Sequence, residues 1–381
     1  MHVGFITSEY PHELFKKGIG GIGTFTKNLA NQLHKGNYKV TVFVHSHTES
    51  KVFEDNGIKV HFIKQKKLKG FTWWVNRKYI QQYISSVVKK DNISILEAPE
   101  WTGITAFMKF SIPLVIRLHG SDTYFCHLDK RKVKFKNKLF EKKALKGATK
   151  IVGVSHFVAE KTKELFKLSI LVETIHNTIN PNQFVPDHSK IERKTLLYFG
   201  ALIRKKGVLE LASIFNKVIE EDKEVTITLL GRDTIDVFTQ VSTLEMFKNQ
   251  LTAEALKRFI YIPSVPYEEV DSYIKKANIV LLPSFAEAFP MTWLEAMVLE
   301  KQLVTSNIGW ANELMINGET GYCVNPIDHQ LYADKILDLL SNPTKAKQMG
   351  EKARQVIKDK FNSETSYQEN VLLYKKVIAE C

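Results

Sequence analysis

The chain has no uninterrupted run of eighteen apolar residues, which argues against an ordinary membrane-spanning helix. Its opening, "MHVGFITSEY", lacks the basic start and small-residue cleavage site of a secretory leader, so a cytoplasmic protein is expected. Cysteine is scarce. Cys126, Cys323 and Cys381 lie far apart, without the spacing of a disulfide framework or a metal site, and are read as reduced. "HSH" at 45–47 is the only close histidine pair, and no cysteine or carboxylate cluster supports it as a metal site. Low-complexity tracts and short-period repeats are absent, which removes solenoids. Acidic residues are the scarcer charge, 41 against 54 lysines and arginines, for a formal net charge of +13. That balance favours anionic partners, whether nucleic acid, anionic lipid or phosphorylated small molecules, without choosing among them.

What is present suits a soluble globular protein: 381 residues, 44% hydrophobic and 25% charged, too long for one ordinary core and right for two domains. "HVGFIT" reads as a strand, "KKGIGGIG" as a glycine-rich loop, "TFTKNLANQLHKGNY" as a helix with a glycine stop, and "KVTVFVHS" as the next strand. Strand, loop, helix, strand within about forty-five residues is the right-handed crossover of a parallel sheet. "GIKVHFI", "ISILEAP", "PLVIRLHG", "KIVGVS" and "VETIHN" extend that series. After a polar, proline-bearing stretch near 181–192, a second series follows: "TLLYFG", "VTITLLG", "FIYIPS", "IVLLPS", "QLVTSN" and "YCVNP". The expected class is α/β, with two doubly wound, Rossmann-like domains facing each other across a cleft. Their boundaries are placed at 1–185 and 186–362, and a last helix, 363–381, is expected to pack back on the first domain. Ligands of such sheets bind beyond the carboxyl ends of the strands. Gly20, Gly21 and Gly23, His119 and Gly120, Gly200, Gly231 and Glu287 all fall at such ends.

The stretch "SFAEAFPMTWLEAM", residues 284–297, sets two glutamates eight positions apart around a proline. Pro290 suits the first position of a helix, leaving Glu287 on the entering loop and Glu295 inside the helix. At ~1.5 Å of rise per residue the two carboxylates stand on the order of 10 Å apart, too far to share a proton. Between them lies a helix start, which binds anions, and a diphosphate with hydroxyl-rich groups at both ends fits such a site. The plainer alternative is a loop glutamate and an exposed helical one flanking a leucine and methionine core.

Several motifs in order resemble the retaining glycosyltransferases of family 4, which have the two-domain GT-B fold. "PSFAEAFPMTWLEAM" carries the paired-glutamate motif, and "VTSNIGWANELMINGETGYCV" places Glu313 and Gly321 in familiar positions. "GGIGTFTKNLA" resembles the N-terminal glycine loop and helix, and "RLHGSD" the histidine-glycine turn. The resemblance implies that Glu295 accepts hydrogen bonds from the ribose hydroxyls of a nucleotide sugar and that Glu287 lies near the transferred sugar. It implies further that the main-chain N–H groups of Phe289, Met291 and Thr292 hold the distal phosphate or the sugar. Lys206 then neutralises the leaving diphosphate, His119 hydrogen-bonds the donor sugar, and Gly20 and Gly21 let the backbone approach donor phosphate and acceptor. Gly200 and Gly231 complete the donor-binding set. At position 201, where relatives often carry arginine, the chain has alanine, so Arg204 or Lys205 supplies the missing charge or both are plain surface residues. Pro290 removes one N–H donor that glycine provides in many relatives. "HNTIN" stands where an Asn-Gly-Val-Asp turn is commoner.

The resemblance implies transfer of a sugar from a nucleoside diphosphate donor, favouring UDP, to a hydroxyl of a glycan or lipid-linked acceptor in cell-surface polysaccharide or glycolipid synthesis. It implies no cofactor and no metal, and "DTID" at 233–236 does not have Asp-x-Asp spacing. A dinucleotide-dependent oxidoreductase also uses a glycine loop after the first strand, but it places an acidic residue after the second, where "TVFVHSH" has serine and histidines. A basic, non-enzymatic binding protein is a third class. Paired glutamates in a cleft count against nucleic acid. Lys64, Lys66, Lys67 and Lys69, followed by Phe71, Trp73 and Trp74, are either a basic turn with core tryptophans or a peripheral contact with the anionic inner membrane face.

Overall fold

The computed structural model of the chain describes residues 1–15, 20–66 and 72–381. Two units result, Met1–Asn177 with Glu364–Cys381, and Thr178–Ser363.

The first unit is built on eight strands: β1 His2–Thr7, β2 Lys39–His47, β3 Lys51–Asp55, β4 Ile58–Lys64, β5 Ile95–Pro99, β6 Leu114–Leu118, β7 Lys150–Gly153 and β8 Val172–Thr174. Their order across the sheet is β3-β4-β2-β1-β5-β6-β7-β8. β1, β5 and β6 are buried along their whole length, the pattern of strands covered on both faces by helices. Every pairing is parallel except β3 with β4. β3, "KVFED", is the one strand of this sheet that the apolar pattern does not reveal. It is largely exposed and charged, as an edge strand is. From β1 the chain builds outward through β2 to β4 on one side and from β5 to β8 on the other, so the order reverses between β1 and β5.

The last helix, Ser363–Ala379, belongs to this unit. Arg117 of β6 is fully buried and donates to both carboxylate oxygens of Glu97, at 2.7 and 2.9 Å, and to Asn370 Oδ1 at 2.5 Å. Tyr374 donates its hydroxyl to the same Glu97 at 2.7 Å. Burial weakens the charge on Arg117, but the Glu97 carboxylate outweighs that and raises its pKa. A charge removed from water needs such partners, and the helix contributes one of them directly.

The second unit holds β9 Thr195–Phe199, β10 Thr226–Leu230, β11 Phe259–Ile262, β12 Ile279–Leu282, β13 Gln302–Ser306 and β14 Tyr322–Val324. All pairings are parallel, in the order β11-β10-β9-β12-β13-β14, and the order reverses between β9 and β12. The units divide eight residues earlier than the expected 185/186 boundary. Ile179 bridges to Asn362, and Arg354 donates to the carbonyls of Phe184 at 3.0 Å and Pro181 at 3.3 Å. The turn-rich stretch is thereby fastened to the second unit. Among the described residues no helix is long and apolar enough to cross a membrane.

Candidate functional site

In the second unit, the crevice where strand order reverses lies beyond the ends of β9 and β12, the place where open parallel sheets bind ligands. Gly200 follows β9 with φ +132°. A Cβ there would stand 4.0 Å from Lys206 Cδ and 4.0 Å from Thr292 Cγ2, so the end of β9, the lysine and the start of helix Met291–Val298 converge. Lys206 ends a short 3-10 turn, Arg204–Lys206. A Cβ on the next residue, Gly207, would overlap the Pro283 carbonyl after β12, so only glycine lets that turn lie against the neighbouring strand end. Lys206 Nζ donates to Glu287 Oε1 at 2.7 Å, and Ser284 Oγ donates to the same oxygen at 3.1 Å.

Glu295 is a fifth-position residue of its helix and is 7% exposed, which overturns the alternative of a solvated helical charge. Tyr267 donates its hydroxyl to Glu295 Oε1 at 2.8 Å. Burial pushes the Glu295 carboxyl up to about 7, while the Tyr267 hydrogen bond and the charge of Lys206 pull it back. Glu295 therefore titrates near neutrality. Lys206 acts electrostatically on both glutamates. The helix start lies beside them: Pro290, with φ −76° and ψ 113°, is its extended cap rather than its first helical residue, and its ring offers no acceptor for the first N–H groups.

The remaining residues expected in this site divide. Met291 and Thr292 form the helix start. The Phe289 side chain is buried against Phe361, with ring centroids 5.4 Å apart. Gly231 is held by packing: its φ is +151°, and a Cβ would overlap the Gly200 carbonyl oxygen. Arg204, one candidate to replace the arginine missing at Ala201, is engaged with a carboxylate of the chain. Its guanidinium donates twice to Asp236, at 2.8 and 2.9 Å, and that carboxylate is buried. The hydrogen bond from Arg204 holds Asp236 well below the usual carboxylate range. The other acid of "DTID", Asp233, accepts from Ser242 and from the Leu244 N–H. Tyr198, fully buried with its hydroxyl on the Ala201 carbonyl at 2.8 Å, and Tyr267 are site residues that motif spacing does not reveal.

The first unit's crevice, between β1 and β5, is built otherwise. Helix Gly21–Lys35 starts there, but the Glu9 carboxylate accepts from the Gly20 N–H at 3.0 Å and the Gly23 N–H at 2.8 Å. The Gly20 N–H, expected beside a donor phosphate, thus meets a carboxylate of the chain, while Gly21 makes no contact with Glu9 of this kind. Among the described residues, nothing beyond its own helix and chain neighbours lies within 4 Å of where a Gly21 Cβ would be. His119 follows β6 and is half-buried, its ring 4.8 Å from that of Phe25. Burial, then the charge of Arg117, pulls its pKa down to about 3, so the imidazole is neutral. Its main-chain N–H donates to Glu100 Oε2 at 2.9 Å, and Glu100 is fully buried and pushed up to about 8 by that burial. Glu100, like Glu9, is a residue the motifs did not reveal.

Of the basic aromatic stretch, Lys67, Lys69 and Phe71 lie outside the described residues. Trp73 is half-buried and packs between Phe107 and Phe140, at 6.1 and 5.0 Å, whereas Trp74 is 52% exposed.

The model described as Glycosyltransferase Family 4 matches residues 19–183, and the one described as Glycosyl transferases group 1 matches residues 181–356. An uncharacterized glycosyltransferase of Methanocaldococcus jannaschii is 24% identical over 95% of each chain. The capsular polysaccharide biosynthesis glycosyltransferase CapM of Staphylococcus aureus is 25% identical over 64% of this chain and 65% of its own. Among solved structures, Anabaena HepE in complex with UDP-glucose superposes with a TM-score of 0.75 at 17% identity, over 100% of both chains. The fold is GT-B.

Proposed function

Since the chain belongs to glycosyltransferase family 4, we propose that it moves a sugar from a nucleoside diphosphate donor to an acceptor hydroxyl with retention of anomeric configuration. The observation that carries this reading is the Lys206–Glu287 pair beside buried Glu295, at a helix start whose cap is Pro290. The Glu295 carboxylate accepts the ribose hydroxyls in place of, or together with, the Tyr267 hydroxyl. The diphosphate lies at the helix start, where backbone N–H groups and the helix dipole favour an anion. Lys206 meets the charge that develops on the leaving phosphate. Preorganised charge of this kind is commonly the largest contribution to such a rate.

In the transfer, the bond between the anomeric carbon and the phosphate oxygen breaks, and its electron pair stays on that oxygen. The acceptor oxygen bonds to the same face of the carbon, and its proton passes to the departing phosphate. Glu287 orients Lys206 and accepts from a sugar hydroxyl. Neutral His119 is assigned a hydrogen bond to the donor sugar, for which it offers both a donor and an acceptor nitrogen. The cationic work falls to Lys206 and the helix start, so activity survives EDTA.

UDP is the favoured nucleotide, supported by the HepE complex with UDP-glucose. A glycan or lipid-linked acceptor for cell-surface polysaccharide is supported by the likeness to CapM. A peripheral place on the inner membrane face is in keeping with exposed Trp74 and the exposed lysines Lys64 and Lys66. Replacing Lys64, Lys66, Lys67 and Lys69 by glutamine then reduces co-sedimentation with anionic vesicles and leaves donor hydrolysis intact. Equal sedimentation removes the membrane contact.

The test of the activity is mass-spectrometric detection of donor hydrolysis across a panel of nucleotide sugars, with wild type and Lys206→Ala side by side. Hydrolysis of a UDP-sugar by wild type, much reduced in the variant, is expected. Equal hydrolysis by both contradicts the reading.

A further inference from the structure

A pocket of about 450 Å³ opens in the first unit, among residues that follow the carboxyl ends of β4 and β5, the end of β2 and the first turns of helix Thr72–Asp91. Its size is within the ~300–1,000 Å³ of small-molecule sites. The side chains lining it include Arg77, Lys136, His45, Asn76 and Trp73, and no aspartate or glutamate among the described residues. Two cations with no acid beside them make an unusual wall. Buried arginines are ordinarily paired with carboxylates, as Arg117 is with Glu97 in this same sheet.

Arg77 has only neutral partners. Its Nη2 donates to the Gly103 carbonyl at 3.0 Å, its guanidinium lies 4.2 Å from the Phe140 ring centre, and its buried Nε has no acceptor. Burial alone lowers its pKa to about 10, with no acid opposing the shift. The Lys136 ammonium stands 5.6 Å from the Trp73 ring centre, and Trp73 is wedged between two phenylalanines, a fixed aromatic wall. Thr102, also on the lining, has φ +54° and ψ +10°. A β-branched residue is seldom held in that left-handed region, and such strain gathers at ligand sites.

We propose that this pocket binds a negatively charged sugar, a hexose carrying a carboxylate or a phosphate, as part of the acceptor. The flat indole takes the sugar's apolar face, the amide of Asn76 and the imidazole of His45 serve its hydroxyls, and Arg77 with Lys136 meets its charge. The word acceptor rests on the glycosyltransferase reading; the binding of an anionic sugar does not.

The experiment is calorimetric titration of the full chain with methyl glucuronide, glucose 6-phosphate, methyl glucoside and inorganic phosphate. At least one of the first two is expected to bind ten times or more tightly than methyl glucoside and than inorganic phosphate, and which one it is distinguishes carboxylate from phosphate. Lys136 is exposed, so Lys136→Gln keeps the fold, and it should weaken that sugar fivefold or more while nucleotide affinity and donor hydrolysis stay unchanged. Equal binding of the neutral glucoside, equal binding of inorganic phosphate, or no effect of Lys136→Gln overturns the proposal. Loss of the glycosyltransferase reading would show separately, as absent donor hydrolysis with anionic-sugar binding intact.

Discussion

The two units share a parallel, doubly wound sheet and one topological crevice each, yet the helix that starts in each crevice meets a different side chain. In the first, the helix that starts beside β1 meets the Glu9 carboxylate, an anion supplied by the chain itself. In the second, the helix that starts after β12 is capped by Pro290, whose ring offers no acceptor, and starts near Lys206, itself paired with Glu287. The first N–H groups of one helix are thus met by a carboxylate of the chain, while the other helix starts near a lysine–glutamate pair. Fold alone does not make a phosphate site.

Lys206→Ala tests that difference with the largest expected effect. Turnover should fall by about 10²–10³-fold, the usual cost of removing a preorganised charge partner. Steady-state release of nucleoside diphosphate measures it, and a fall of less than tenfold would move the role to another cation. Gly231→Ala comes next and acts on stability. Its Cβ would overlap the Gly200 carbonyl at a φ that side chains rarely adopt, so a loss of about 1–3 kcal/mol is expected in denaturant unfolding. An unchanged midpoint would show that β9 and β10 can separate at their ends.

Tyr267→Phe removes one hydrogen bond to a charged acceptor, worth roughly 1.5–3 kcal/mol before the incoming ribose replaces it. With that donor gone, the carboxyl of Glu295 rises further above about 7. At pH 7 less of it is ionised, and affinity for a nucleotide sugar falls severalfold but recovers at pH 9. Failure to recover would mean that Tyr267 touches the nucleotide itself. Gly21→Ala is the smallest. Among the described residues nothing within 4 Å meets the new methyl, so stability changes by less than about 0.5 kcal/mol, and nucleotide affinity is untouched if the first crevice holds no phosphate. A lost nucleotide affinity would restore the glycine loop as a donor contact and erase the contrast.

Much of this architecture was legible because buried parallel strands are short apolar runs bounded by glycine and proline. β3 was not, since "KVFED" at an exposed edge carries no such run. The unit boundary was displaced because Arg354 reaches back to Pro181 and Phe184 from far along the chain, and local composition records nothing of that distance. Glu287 and Lys206 were named through motif order, but their direct pairing spans 81 residues and belongs to the tertiary fold. Arg204 shows the limit from the other side. A charge beside a phosphate motif looks available until a buried Asp236 is found to hold it. Glu9, Glu100 and Tyr267 sit outside the quoted motifs, and each acts by completing a hydrogen bond that only the folded chain presents.

The central claim is that buried Glu295 reads the nucleoside in the second crevice. Calorimetry of a UDP-sugar between pH 5.5 and 8.5 tests it directly, because the donor's diphosphate is a diester with no proton to lose in that range. A carboxyl raised to about 7 is protonated below that pH and an acceptor above it, so affinity should climb as pH rises through 7. Glu295→Gln should flatten the profile and weaken binding at pH 8.5 by about ten- to hundredfold, the equivalent of 1.5–3 kcal/mol. A variant with wild-type affinity and the same pH profile would contradict the claim.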